Sequence, residues 1–220
     1  MSDTVTVVIS AAGMGTRLGM NVPKALVPVG GKPILARQLD LLSDVDDVVV
    51  VVGFRGQLVI DLLREIRSNV TVALNHEFTT TGTAASVAKG AELSDGWVVS
   101  LDGDLLVQED GLRRVLDHPR ACLGLTPARS KSPVWAEVDG DGMVRGLSQE
   151  RETHWEWSGL MKVRHEVARG LGTGHVFSGM NNVLPMEYHQ VDCVEVDDLD
   201  DLHEAEMWAA SGDRLGERRG

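Results

Sequence analysis

The sequence predicts an α/β fold in which a largely parallel sheet is covered by helices. Two observations carry that prediction. Short β-branched apolar runs recur through the first half, and between them lie segments with apolar residues at helical spacing. After Thr126 this alternation gives way to hairpin signals, so a small β annex is expected in the second half.

Thr4–Ser10 reads as a buried strand, and the small, glycine-rich Ala11–Gly19 as the loop that leaves it. Pro33 suits the first turn of a helix, and Leu35, Leu39 and Leu42 continue it. Val48–Val52 is a second strand, and Leu58, Val59, Leu62, Leu63 and Ile66 form a helical stripe. Val70–Leu74 and Trp97–Leu101 are further strands, with a helix over Thr83–Leu93 between them. A helix around Leu112–Leu116 leads to a strand at Ala121–Thr126. Trp135–Val138 and Met143–Leu147 flank the Asp-Gly pairs of Asp139–Gly142, a hairpin signal. Trp155–Val163 is a strand, Val191–Val196 returns to a buried strand, and Leu199–Ala210 is a closing helix.

A chain of 220 residues is one ordinary domain and buries about 70% of its extended surface, so it needs no staple. Hydrophobic content of 43% and charged content of 25% belong to a globular chain. No apolar run reaches the roughly 18 residues of a membrane helix. Asp3 stands where an export signal carries a cation, so a soluble cytoplasmic protein is expected. Cys122 and Cys193 are too few and too far apart to indicate a disulfide framework or a zinc site. The seven histidines show no metal-ligand spacing and are given no role.

The net charge of −12 argues against nucleic acid or an anionic membrane as partner. Its distribution is more informative. Thr4–Leu39 contains no acidic residue but holds Arg17, Lys24, Lys32 and Arg37, which suggests a focused anion site. Asp192–Glu206 holds eight carboxylates, as a solvated helix would, or as part of a site. In open α/β sheets ligands lie beyond the carboxyl ends of the strands. Ala11–Arg17, Asp102–Asp104 and Asp197–Asp198 all fall at such ends, so they can converge.

The glycine-rich loop reads Ala11-Ala12-Gly13-Met14-Gly15-Thr16-Arg17, followed by Pro23-Lys24. Glycines let the backbone approach a phosphate, and consecutive N–H groups form an anion nest. No Gly-Lys-Ser/Thr follows as in a P-loop. Nor does the dinucleotide fingerprint hold: its third glycine falls on Leu18, and Gly53-Phe54-Arg55 end the second strand without an acid.

This loop, with Pro23-Lys24-Ala25-Leu26 and Gly31-Lys32-Pro33-Ile34-Leu35, resembles the signature of nucleotidyltransferases that make nucleotide-activated sugars and alcohols. In size and motifs the chain is most similar to phosphocholine and phosphonate cytidylyltransferases. The resemblance implies a single Rossmann-like domain with a mixed sheet. It divides into a nucleotide part at 1–127, an acceptor part at 128–190, and a closing strand and helix at 191–220. It implies that Ala11, Ala12, Gly13, Met14, Gly15 and Thr16 hold a nucleoside triphosphate, while Arg17 and Lys24 act on its phosphates as the catalytic pair.

Leu101-Asp102-Gly103-Asp104-Leu105 ends a buried strand, where carboxylates make a turn, cap a helix or hold a metal. The resemblance puts the Mg²⁺ ligands on Asp104 and Asp197, with Asp102 as nearby support at the nucleotide. The second ligand could shift to Asp198, although Asp198 is the better helix N-cap. Gly82 and Thr83 are similar to the family's base-reading element, with Thr83 capping the helix or touching the base. Glu77 stands where several relatives carry Gln. It accepts hydrogen bonds only, which leans towards CTP or GTP, or it is an exposed loop carboxylate.

Glu156-Trp157-Ser158-Gly159-Leu160 resembles the acceptor strand of phosphocholine and phosphonate cytidylyltransferases, with Trp for the usual Tyr. Glu156, Trp157, Gly159 and Trp135 are therefore acceptor candidates, and Trp faces attract alkylammonium groups. Packing alone also accounts for the Trp residues. The family's lysine after the strand near Gly146 is missing; Lys131 and Lys162 are alternative cations. The expected activity is Mg-dependent transfer of a nucleotidyl group, CMP favoured, to a phosphorylated alcohol, sugar phosphate or phosphonate. GTP, UTP or dTTP with a sugar 1-phosphate is the alternative, and a catalytically idle nucleotide sensor is an alternative of another class. A homodimer through an exposed hairpin stays open.

Overall fold

A computed structural model describes residues 4–216, leaving out the side chains of residues 16 and 211–216, so Asp3 lies outside the described residues. In chain order the strands are β1 (Val5–Ala11), β2 (Pro28–Val29), β3 (Lys32–Pro33), β4 (Asp47–Val52), β5 (Thr71–Leu74), β6 (Trp97–Asp102) and β7 (Leu105–Val107). They continue with β8 (Cys122–Pro127), β9 (Trp135–Val138), β10 (Val144–Ser148), β11 (Trp155–Arg164), β12 (Glu187–Gln190) and β13 (Cys193–Glu195). The helices are α1 (Ile34–Leu41), α2 (Gly56–Ile66), α3 (Thr83–Ala91), α4 (Glu109–Leu116), α5 (His165–Arg169), α6 (Val176–Met180) and α7 (Leu199–Gly216).

The expected α/β class is the observed one. β1 lies between β4 and β6, parallel to both, and β5 extends the parallel set beyond β4. β1, β4 and β6 are covered on both faces, which is why β4 reads as an unbroken valine run. Val7 and Ile9 pack with Leu35 and Leu39 of α1, Val59 and Leu63 of α2, and Leu112 and Val115 of α4. Val8 points the other way, to Ala84 and Val87 of α3. The two-residue period of β1 thus divides the core into two layers.

The second half departs from a simple parallel continuation. β11 lies beside β6 and runs antiparallel to it, and β8 pairs on the far side of β11. The β9–β10 hairpin joins through β9 and β11, where the sequence places its turn signal. Val191–Val196 does not return to the main sheet. Its core, β13, pairs antiparallel with β7 as a separate two-stranded sheet. The reason is local: the chain turns at Asp102–Leu105, so β7 leaves the main sheet and offers its own edge. Pro33 stands at the N-cap of α1 rather than inside it. A third apolar cluster packs Ala205 and Ala209 of α7 on Leu18, Leu106 and Val194, which ties the glycine loop to the β7–β13 ribbon. Among the described residues no helix is long and apolar enough to cross a membrane.

Candidate functional site

The carboxyl ends of β1 and β6 open into a cavity of about 460 Å³. Its lining brings together Ala11, Ala12, Gly13, Gly15, Arg17 and Lys24 with Asp102, Asp104 and Asp197. These residues are up to 186 positions apart in the chain, and the strand-end argument is what joins them.

Gly15 is required by its backbone, which is left-handed at φ +58°. It is also required by space, because a Cβ there would lie 2.8 Å from Cγ of Lys24. The Lys24 stem therefore crosses directly over the loop. Lys24 begins a short 3-10 turn after Pro23, and its Nζ donates to Asp104 at 2.8 Å and to Asp197. The Arg17 guanidinium, largely exposed, donates to the other oxygen of Asp197 at 2.7 Å. Burial opposes the Lys24 charge, but Asp104 and Asp197 outweigh it and hold the ammonium above the usual lysine range.

The acidic wall is built by three devices. Gln38 of α1, almost fully buried, donates from Nε2 to the carbonyls of Asp102 and Leu105 at 2.7 Å each, which fixes the turn carrying Asp104. Asp198 accepts from the N–H groups of Asp200 and Asp201 at 2.9 and 3.0 Å, while Asp201 accepts from those of Asp197 and Asp198 at 3.1 and 3.0 Å. This is a reciprocal capping box at the start of α7. Asp198 is also paired with Lys131 at 2.7 Å, which leaves Asp197 to face Lys24. Finally, β13 brings up Glu195, whose carboxylate oxygen lies with those of Asp104 and Asp197 within 4.8 Å of one another.

Sequence reading passed over Glu195; its signal was the alternation Glu195-Val196-Asp197, which puts both acids on one side of an extended segment. Desolvation, and then the Asp104 and Asp197 charges, push Glu195 up to about 8. Desolvation, and then Asp104, push Asp102 up to about 8 as well. Three carboxylates crowded this closely, with oxygen donors only, fit a hard divalent cation such as Mg²⁺.

Opposite the acids, Asn75 organises the loop before α3. Its Nδ2 donates to Thr81 Oγ1 at 3.2 Å and to Ser86 Oγ at 3.1 Å, and its Oδ1 accepts from the N–H of Glu77 at 3.1 Å. Gly82 and Thr83 line the cavity, but Thr83 does not cap α3 through its side chain. The N-cap is Gly82, which is held by donating to the Thr173 carbonyl at 2.7 Å. Glu77 is exposed, 3.9 Å from Lys89, and outside the lining.

From the second half, Trp157, Ser158 and Gly159 reach the cavity. Gly159 sits at φ +83° in an irregularity of β11, and a Cβ there would lie 2.6 Å from the Asp102 carboxylate. Glu156 is buried and lines a smaller adjoining cavity. Its carboxylate accepts from the N–H groups of Arg129 at 3.2 Å and Ser130 at 3.3 Å and from Ser130 Oγ at 2.6 Å, so it holds its own loop.

Trp135 lines neither cavity: Val134 does, and the next residue of the strand faces away. Met14 is exposed at the loop tip and also outside the lining. The Thr16 side chain lies outside the described residues. Lys162 is spent elsewhere, donating to the Leu116 and His118 carbonyls at 2.6 Å each. Lys131 lines the smaller cavity but is tied to Asp198, Asp200 and Asp201. Sequence reading also missed the segment with His175 and Phe177, which closes over Gly82; its signal was the Gly172-Thr173-Gly174 run.

The fold and this cavity define an α/β protein with a glycine-rich loop facing an acidic cluster. Residues 7–164 match the family model of the MobA-like NTP transferase domain, and the chain belongs to that family. It is 32% identical over 156 residues to a CMP-5'-(3-aminopropyl)phosphonate synthase of Streptomyces rubellomurinus, which covers 67% of this chain. The match spans only 25% of that relative's length.

Two solved structures share the fold. A Bacillus anthracis protein described as a glucose-1-phosphate thymidylyltransferase superposes with a TM-score of 0.79 at 16% identity, covering 94% of this chain and 95% of its own. The CTP:phosphocholine cytidylyltransferase of Streptococcus pneumoniae gives 0.76 at 18% identity, covering 94% and 99%.

Proposed function

We propose that this chain is a nucleotidyltransferase that moves the nucleotidyl group of a nucleoside triphosphate, CTP by preference, onto a phosphate or phosphonate oxygen of a small acceptor. The observation that carries the reading is the position of Lys24. Its stem crosses Gly15 and its ammonium lies between Asp104 and Asp197, where an anion on the loop and a cation on the acids would meet. In this reading residues 1–127 hold the nucleotide, 128–190 the acceptor, and 191–220 close the site with Asp197.

The acceptor oxygen attacks the α-phosphorus in line. An O–P bond forms, the bond to the β-phosphate bridging oxygen breaks, and pyrophosphate leaves with the electron pair. The nucleophile needs no general base, because the second pKa of a phosphate monoester is about 6. The barrier is repulsion between two anions. Lys24 and Arg17 neutralise the phosphates, and the N–H groups from Ala12 to Gly15 orient them. Asp104 and Asp197, with Glu195 beside them, would hold magnesium, which would supply further positive charge when bound. Asp102 supports the site from behind, against Gly159. Gly82 and Thr83 bound the base.

The preference for CTP is supported by the Glu156–Leu160 resemblance and by the activities named for the S. rubellomurinus and S. pneumoniae proteins. It does not draw on Glu77, which stands apart from the cavity. Trp157, the one Trp of its region that lines the cavity, suits an acceptor with a cationic head, such as phosphocholine or an aminoalkylphosphonate.

A thermal-shift panel of CTP, UTP, GTP, ATP and dTTP, each with and without Mg²⁺, tests the reading. A magnesium-dependent rise with CTP above the others is expected. A rise with dTTP, UTP or GTP alone overturns the base preference, and no rise with any triphosphate, acceptor present, overturns the activity.

A further inference from the structure

A second cluster of metal-ligating side chains lies away from this cavity, at the opposite edge of the annex. β12 pairs parallel with β8, with Glu187 beside Cys122 and His189 beside Gly124. Paired residues share a face, and residues two apart on a strand share it again. Cys122, Glu187 and His189 therefore project to the same side. His118, four positions before Cys122, enters from the turn after α4. Lys162 anchors that turn by donating to the Leu116 and His118 carbonyls.

The ring nitrogens His118 Nδ1 and His189 Nε2 face each other at 3.0 Å. The Cys122 sulfur lies with one nitrogen of each ring, all within 4.8 Å of one another. In a tetrahedral zinc site, Zn–N of about 2.0 Å and Zn–S of about 2.3 Å put ligand atoms about 3.3–3.6 Å apart, so small adjustments suffice. The other nitrogen of His118, Nε2, lies 2.7 Å from Glu187. That nitrogen is buried and makes no hydrogen bond as it stands; a small turn of the ring lets Glu187 accept from it, the arrangement that leaves Nδ1 free for the metal. The exposed Arg120 pairs with the half-buried Glu187 on the outer side of the cluster.

We propose that His118, Cys122 and His189 form a site for a borderline-soft divalent cation of the zinc class, oriented by Glu187 and independent of the acidic site. Two nitrogens and a sulfur do not suit magnesium. The cation would clamp β12 and the turn after α4 onto β8. Binding releases the Cys122 thiol proton to solvent, since the ligand is the thiolate.

Cobalt titration into chelator-treated protein tests the site, because thiolate ligation gives a charge-transfer band in the near ultraviolet that oxygen ligands cannot. One equivalent of Co²⁺ developing that band, discharged by Zn²⁺, is expected. Zinc at about 100 times its dissociation constant raises the melting temperature by about 5–11 °C. The rise persists in Asp104→Asn and disappears in Cys122→Ser. His189→Asn guards against misfolding of the cysteine variant: it keeps a wild-type circular dichroism spectrum and loses the zinc response. Cobalt spectra with no thiolate band, or a zinc response unchanged in both Cys122→Ser and His189→Asn, overturn the proposal.

Discussion

Lys24→Ala is the perturbation that bears most directly on the site. The wild-type ammonium compensates Asp104 and Asp197 directly, with Asp102 and Glu195 close behind them. Its side chain is 17% exposed, and those of Asp104 and Asp197 are 18% and 25%, so the group is neither a surface pair nor a dry interior one. Exposed pairs contribute under about 1 kcal/mol and breaking a buried one costs about 3–5, so a loss of about 2 kcal/mol follows for the metal-free protein. For a chain of this size that lowers the melting temperature by about 4–8 °C.

Bound at the proposed site, magnesium would offset the same carboxylates, so it is expected to restore more stability to the variant than it adds to wild type. Catalysis does not recover in step. Removing one preorganised donor to a developing charge costs about 10²–10³ in rate, which is about 2.7–4 kcal/mol. The assay is pyrophosphate release under saturating CTP and Mg²⁺, with melting curves on the same samples. Wild-type turnover in a folded variant refutes the role given to Lys24, and a variant no less stable without metal refutes the electrostatic account of the cluster.

Other predictions follow from the same geometry. Gly15→Ala forces a Cβ into the left-handed region at a cost of about 1–2 kcal/mol and pushes on Lys24, so kcat/KM falls with stability. Gly13→Ala, in open space, spares the melting temperature, which thermal denaturation of both variants checks. Asp102 is raised from 3.8 to about 8, so its contribution to metal-free stability is present at low pH and is lost as pH rises through that window. Asp102→Asn therefore matches wild type only below about pH 4 and exceeds it by a margin that grows up to about pH 8, as melting curves in chelator will show. Asp198→Ala removes the cap of α7 and costs about 1 kcal/mol, a fall of about 2–4 °C, measurable by the same melts. Asp104→Asn abolishes the magnesium dependence of the rate; an unchanged magnesium titration removes Asp104 from the site.

The first half of the fold was legible because its inner strands are buried on both faces. The valine runs of β1 and β4 and the stripe of α2 leave little choice of period. The position of β11 was not legible. Its place beside β6 depends on Gly159 and on the irregularity between Trp157 and Met161, which no local pattern announces. Which sheet β13 joins was not legible for a similar reason: a buried apolar run has the same appearance in a main sheet as in a two-stranded ribbon.

The convergence of Arg17, Lys24, Asp104 and Asp197 could be read from strand ends and from motif text. Glu195 could not be separated from the other acids of Asp192–Glu206 until β13 placed it. Gln38 carried no signal at all, since a buried glutamine on a helix face reads as a polar interruption until its two carbonyl partners are seen. Trp135 and Trp157 look alike in sequence, and only strand register sends one to the cavity and the other away from it.

The most direct test of the central claim follows the α-phosphorus itself. Phosphorus NMR of the protein with CTP, Mg²⁺ and phosphocholine or an aminoalkylphosphonate should show the α resonance of CTP replaced by a coupled diester signal, with pyrophosphate appearing in equal amount. Products limited to CMP or CDP with free phosphate, or no turnover with any triphosphate and acceptor pair, would contradict nucleotidyl transfer as the function of this site.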